Sequence, residues 1–216
     1  MPSRKEMISD SLFWVQIIAA IVLCGSQFFC FLETTKGQLL AMFLVMEGYF
    51  FLNLLLSVSA HTERPSRATG QLMGTYILWL ALIGSNIAAI FINGSYEWNQ
   101  NDTSIAVLAI VGTVALVVVA KLKGLGLQDP MLKSLLGILF KTVPQLIMAY
   151  EITQRGGAGI PAAAIVAGHV TSLIRIGQVL FALFESGRDR NRIWLCVSET
   201  GNEVSWMVVT IVWLVV

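Results

Sequence analysis

The apolar segments of this chain constrain its fold more than any other feature. Seven of them follow one another with short breaks, at residues 11–32, 38–60, 71–92, 104–120, 130–150, 160–184 and 203–216. A helix that crosses a bilayer needs about 20 apolar residues, within a range of roughly 17–25, and the first six segments meet that length. The seventh is shorter, so its helix either begins earlier, near Val197, or is cut short. The pattern predicts an all-α integral membrane protein with seven transmembrane helices.

Composition excludes several classes of function. Of the 216 residues, 56% are hydrophobic and only 12% are charged, whereas soluble domains contain about 25% charged residues. A net charge of +1 gives no reason to expect a nucleic-acid partner. The sequence contains no P-loop, no HExxH metal motif and no GxSxG nucleophile motif. We therefore expect no enzymatic activity, no metal and no cofactor, and we expect the bilayer itself to be the main surrounding of the chain.

A proline followed by glutamine lies deep in the fifth apolar segment. Neighbouring helices in a bilayer can satisfy the carbonyl group that Pro144 leaves without a donor, and Gln145 could also do so. A short polar break then leads to Arg155, ten residues after Gln145. The first segment holds a weaker copy, in which Gln27 precedes Lys36 by nine residues. The alternative interpretation is a proline kink without any role in transport.

This motif resembles the PQ-loop superfamily, which includes the SWEET and SemiSWEET sugar transporters, the lysosomal amino-acid exporters and bacterial vitamin-precursor transporters. The matching residues are Pro144, Gln145, Arg155, Gly156, Gly157 and Gly159. The first copy has Ser26 in place of the proline. The resemblance implies a carrier in which the third helix of each bundle supplies an asparagine to the substrate pocket. Asn86 fits that position, whereas Asn202 lies near the end of its expected segment, where Ser205 or Trp206 is expected to replace it.

The fourth segment is apolar on every face, which is typical of a helix that contacts lipid and carries no site. Three helices are an odd number, so a second three-helix unit would enter the membrane inverted. One additional crossing restores the orientation that parallel repeats require. We therefore predict two parallel three-helix bundles, in residues 1–93 and 130–216, joined by a linker helix in residues 104–123.

Basic residues predict the orientation of the chain. Nine of them are expected on one face of the membrane: Arg4, Lys5, Arg64, Arg67, Lys121, Lys123, Arg188, Arg190 and Arg192. Only Lys36 and Arg155 are expected on the other face. The positive-inside rule then places the N-terminus in the cytosol and the C-terminus outside, opposite to the orientation of SWEET proteins. The sequence does not identify the membrane, and it leaves homo-oligomer formation open.

Polar groups inside the apolar segments are the candidate site. A charge in mid-membrane costs about 2.5–3.5 kcal/mol on insertion scales, so each one is a functional candidate. Aligning Gly37 with Gly159 places Glu47 opposite His169. The same shift places Asn53 opposite Arg175, as expected for groups that meet around a central site. The predicted substrate-binding residues are Asn53, Trp79, Asn86, His169, Arg175 and Trp206. The two tryptophans could stack on a sugar ring or anchor their helices at the membrane interface.

The remaining candidates have mechanical or coupling roles. Glu47 and Lys141 are predicted to couple transport to protons, because a poorly solvated carboxylate in mid-membrane could exchange its proton. The alternative is an ion pair of Glu47 with Lys141 or Arg175 that locks the bundle. Pro144, Gln145 and Gln27 are predicted hinges.

Together these patterns predict a transporter of a small polar solute, such as a sugar, an amino acid or a vitamin precursor, that works by alternating access. Two alternatives remain open, a ligand-binding receptor or sensor on the same scaffold, and an ion channel.

Overall fold

A computed structural model describes residues 4–126, 129–186 and 190–216, and within them it contains helices and loops but no strand. The helices are α1 (Arg4–Glu33), α2 (Leu40–Glu63), α3 (Arg67–Asn93), α4 (Gln100–Leu122), α5 (Pro130–Arg155), α6 (Ala162–Ser186) and α7 (Arg190–Val215). Among the described residues, the six helices α1 to α6 are long and apolar enough to cross a membrane. Large apolar side chains such as Trp14, Ile110 and Phe91 are exposed on their outer surfaces. The chain is therefore an all-α membrane protein.

Helix α7 differs from the segment that the sequence predicts. It begins at Arg190, well before residue 203, so that much of the expected loop before the seventh segment is helical. Glu199 and Glu203 interrupt the apolar pattern here, which is why hydropathy misses this part of the helix. Both carboxylates have partners on other helices, Lys141 for Glu199 and His169 for Glu203, and these partners allow the helix to pack inside the bundle.

The order of contacts between helices is the same in the two halves of the chain. Helix α3 contacts both α1 and α2, and helix α7 contacts both α5 and α6. Between the halves, α1 packs against α6 and α2 packs against the middle of α5. Helix α4 touches α2 and α5, and most of its side chains are exposed. A cavity between the halves is therefore bounded by α1, α2, α3, α5, α6 and α7.

Helix α5 changes its winding in front of Pro144. Residues Ile138–Thr142 form a π-helical turn between two α-helical stretches. A proline ring clashes with the carbonyl group four residues earlier in a regular α-helix, here that of Phe140. The wider π turn includes Phe140 and removes this conflict. In α1, by contrast, the α-helix runs without interruption through Ser26 and Gln27.

A buried polar network ties the start of α4 to its neighbours. The fully buried Asp102 accepts hydrogen bonds from the Tyr96 hydroxyl and from the backbone N–H of Ala41, the latter at 2.9 Å. Burial and then the hydrogen bond to Asp102 raise the pKa of the Tyr96 hydroxyl above its usual range. Asn99 caps α4 by accepting from the N–H groups of Asn101 and Asp102. The cap explains why α4 begins at Gln100, earlier than the apolar segment.

The α1–α2 loop and the α5–α6 loop meet backbone to backbone. The N–H of Gly159 donates to the carbonyl oxygen of Lys36 at 2.9 Å, and the Gln38 side chain donates to the carbonyl oxygen of Gly159 at 3.2 Å. Gly37 has a φ of +77°, and a Cβ atom there would overlap the carbonyl oxygen of Gly156. These contacts close one end of the bundle.

We expect Gly37→Ala to lower the free energy of unfolding by at least about 2 kcal/mol. The left-handed backbone costs an alanine about 1–2 kcal/mol, and the overlap with Gly156 adds to this cost. Gly48→Ala in α2 is the control, because nothing lies within 4 Å of a Cβ atom at that position. Thermal unfolding of the purified variants in detergent measures the difference. Equal melting temperatures for the two variants would contradict the loop geometry.

Candidate functional site

The candidate site is a cavity of about 980 Å³, including the part open to solvent, between the two halves of the chain. Six of the predicted site residues line it: Gln27, Trp79, Lys141, Gln145, Arg175 and Trp206. On α1 and α3 the lining extends from Gln27 and Ile83 towards the N-terminal ends of the helices, to Gln16 and Leu72. On α2, Met42 and Phe43 near the α1–α2 loop also line it, so the cavity extends from near the closed loops towards the opposite end of the bundle.

The two glutamines of the motif copies make equivalent hydrogen bonds. Gln27 accepts from the side-chain amide of Asn86 at 3.4 Å, and Gln145 donates to the side-chain oxygen of Asn202 at 3.3 Å. Asn202 also donates to Ser172 at 2.7 Å, while the Ser205 hydroxyl donates to Gln145. Each pair joins the first helix of a half to its third helix.

Lys141 forms an ion pair with a residue that the sequence analysis did not select. Its ammonium group lies 3.2 Å from each carboxylate oxygen of Glu199 on α7, and both side chains are largely buried. The expected alternative, a pair between Glu47 and Lys141, is thus not formed. The ion pair lies in the cavity wall and fixes α5 against α7.

Arg175 also lines the cavity and has no partner in the part of the chain that the structure describes: no ion pair or hydrogen bond reaches its guanidinium group. Glu199, Tyr49 and Tyr76 lie within electrostatic range of it. The site therefore presents one neutralised cation and one cation with free donors.

Aromatic rings form another part of the wall. The rings of Phe50 and Trp79 stack with a centroid distance of 5.3 Å and an interplanar angle of 16°. Tyr49 packs against Phe140 of the π turn at 5.7 Å. Trp206 covers Gly168 of α6, where a Cβ atom would lie 2.9 Å from the indole. The cavity thus combines flat apolar surfaces with a few polar groups, as ligand sites do.

Three of the predicted substrate-binding residues lie behind the cavity wall. Asn53 is buried and donates to the carbonyl oxygen of Tyr49 in its own helix at 2.8 Å. Asn86 is fully buried behind Gln27. The ring nitrogens of His169 lie 2.7 Å from Glu203 and 2.8 Å from Thr210, both on α7. Asn86 and His169 therefore join neighbouring helices, Asn53 bonds within α2, and none of the three lines the cavity.

The predicted coupling and hinge residues outside the cavity are Glu47 and Pro144. Glu47 has no ion-pair partner among the described residues, and one of its carboxylate oxygens is buried without a hydrogen bond. It lies opposite Gly84 of α3, where a Cβ atom would be 3.7 Å from its other oxygen. Pro144 is buried directly after the π turn. No finding tests these two roles, and they remain predictions.

The sequence analysis missed Glu199 and underrated Asn202 because its seventh segment began at residue 203, and it selected no residue from the earlier start near Val197 that it left open. Their spacing contains a usable signal. Glu199, Asn202 and Trp206 are three and four residues apart, which places them on one face of a helix. An earlier start for the seventh helix would have directed that face towards the bundle.

A second cavity lies at the closed end, beside the loops. Its lining includes Glu33, Lys36, Glu97, Glu151 and Arg155. Glu151 is already bound by Arg155 at 2.9 Å and by the side-chain amides of Asn99 and Asn101, at 3.0 and 2.6 Å. These bonds indicate that the polar groups of this region hold the closed end together rather than bind a ligand.

Comparison of the chain with protein-family models, curated proteins and solved structures gives no match. The function is therefore argued from the geometry of the central cavity.

We expect Lys141→Met to destabilise the protein by about 3–5 kcal/mol, because it leaves Glu199 buried without its cation. The double substitution Lys141→Met with Glu199→Met should recover most of this loss, since two apolar side chains replace the pair. Arg155→Met is the control: its side chain is half exposed and Glu151 keeps two amide donors, so the loss should be below about 1 kcal/mol. Unfolding in detergent measures all three. A double variant as unstable as Lys141→Met alone would contradict the buried pair.

Proposed function

We propose that this protein carries a small solute across a membrane by alternating access, with the central cavity as the binding site. The observation that carries the proposal is an ion pair, a cation with free donors and two pairs of amides placed inside a group of apolar helices. Polar groups are costly at that depth and usually mark a solute pathway.

The contacts between helices support an arrangement of two parallel three-helix bundles. Exchanging α1 with α5, α2 with α6 and α3 with α7 converts each contact of one half into a contact of the other. The same exchange converts the Gln27–Asn86 pair into the Gln145–Asn202 pair. In the proposed topology α4 is the linker helix and α7 also spans the membrane, since Glu199 and Glu203 face partners in the bundle. These features agree with the resemblance to PQ-loop carriers.

The closed end favours a carrier over a channel. A channel needs a continuous wet path, whereas here Gly159 and Lys36 join their backbones across the end of the bundle. In the proposed orientation the N-terminus is cytosolic, and the cavity then faces the cytosol. Reopening the other end requires the two loops to separate, and the π turn before Pro144 offers a place where α5 can bend.

Uptake into proteoliposomes tests the proposed function. We expect saturable uptake of at least one member of a panel of radiolabelled sugars, amino acids and small organic acids. Gln145→Ala should reduce the initial rate about tenfold or more, since it breaks the buried bonds to Asn202 and Ser205 next to the cavity. Gln154→Ala, an exposed residue on the same helix, is the control and should transport normally.

Two other results would replace this proposal. Ligand binding to the purified protein without any uptake would indicate a receptor or sensor. Uptake that does not saturate with solute concentration would indicate a channel.

Glu47→Gln tests proton coupling. If the unpaired carboxylate carries the proton, the variant should lose uphill accumulation driven by a pH gradient but keep solute exchange at a rate within about twofold. Glu33→Gln is the control, because Glu33 is exposed at the end of α1. Accumulation unchanged by Glu47→Gln would point to a passive facilitator instead.

A further inference from the structure

The charges of the central cavity do not balance. Among the residues that the structure describes, its lining contains two cations, Lys141 and Arg175, and one carboxylate, Glu199. Glu199 directs both oxygens at Lys141, so its charge is already neutralised. The cavity therefore retains one positive charge, and Arg175 carries it.

Arg175 is a partly buried residue of the cavity wall. It lies on the same face of α6 as Gly168, Thr171 and Ser172, which also line the cavity. Tyr49 of α2 and Tyr76 of α3, which also line the cavity, lie within electrostatic range of its charge. An arginine charge inside an apolar bundle is costly, and it is tolerated where an anion or water meets it.

The chemistry of the guanidinium group selects the kind of anion. Its planar fork of N–H donors matches the two oxygens of a carboxylate, and such bidentate pairs are among the stronger polar contacts in proteins. The surrounding wall is mainly flat and apolar, with the stacked rings of Phe50 and Trp79 on α2 and α3. This wall suits a planar or apolar body beside the carboxylate.

Other solute charges fit less well. A cationic solute would meet the field of Arg175 without a free carboxylate in the described lining, because Glu199 is engaged by Lys141 and Glu47 lies outside the lining. A neutral sugar would leave the guanidinium charge without compensation. A dianion would exceed the single positive charge that the cavity provides.

We propose that the solute of this cavity is a small monocarboxylate with an apolar or aromatic body, and that Arg175 binds its carboxylate. This inference rests on the proposed function in that it assigns the solute of the same carrier site.

Pairs of matched probes test this assignment by calorimetric titration of the purified protein. The probes are benzoate with benzamide, phenylacetate with phenylacetamide and hexanoate with hexanamide, which have nearly the same shape within each pair. We expect at least one carboxylate to bind roughly ten- to a hundredfold more tightly than its amide, the size of a hydrogen-bonded charge. Arg175→Gln should remove that preference. Arg175→Lys keeps the charge but loses the planar fork of donors, so it should retain only part of the preference.

Arg155→Gln is the matched control, because it removes one cation from the far end of the bundle without touching this cavity. It should leave the preference unchanged. Carboxylates that bind no better than amides, or no binding by any carboxylate of the panel, would overturn the assignment. So would a preference that survives Arg175→Gln.

Counterflow of the same probes in proteoliposomes separates this inference from the proposed function. Carboxylates that bind through Arg175 but do not cross the membrane would support the anion site and contradict the proposed carrier function. Saturable transport of a neutral or cationic solute, with no binding or transport of carboxylates, would support the carrier function and contradict the anion site.

Discussion

The pairing of charged and amide groups inside an apolar shell is the constraint on which this structure depends. Lys141 and Glu199 can occupy the interior of the bundle only because each neutralises the other. Glu199 lies on α7, so this pair also holds the first half of α7 against α5. The Gln27–Asn86 and Gln145–Asn202 pairs likewise give buried polar groups a partner, but without charge.

Glycine serves a different need at the closed end of the bundle. The contact of the two loops is made by backbone atoms of Lys36 and Gly159, which a side chain at Gly37 would separate. Contacts of this kind rest on a few hydrogen bonds between the two loops. They can hold one end of the bundle closed and yet be broken and remade at modest cost, which a carrier requires.

Hydropathy predicted the helices with long apolar runs, including those that contain a single charge such as Lys141 or Arg175, and failed at the first half of α7, where Glu199 and Glu203 lie close together. The six segments from 11–32 to 160–184 each correspond to a helix of the structure, because a long apolar run has few other places to lie. Hydropathy missed the first half of α7, because the partner of Glu199 lies on another helix, 58 residues away along the chain. Pairing at that distance leaves no trace in the local pattern.

Prediction of the candidate site from the sequence has the same limit, because the partners of a side chain are not visible in the local pattern. Residue type indicated Lys141, Arg175, Trp79 and Trp206 as candidates, and all four line the cavity. Residue type alone could not separate Arg175 from His169, which is also polar and on the same helix. The two lie six positions apart and therefore on different faces of α6. His169 faces Glu203 and Thr210 of α7 and is satisfied there, whereas Arg175 faces the space between the halves. A polar residue can hold helices together or bind a ligand. The partners of its side chain decide between these roles, and only the packed structure shows those partners.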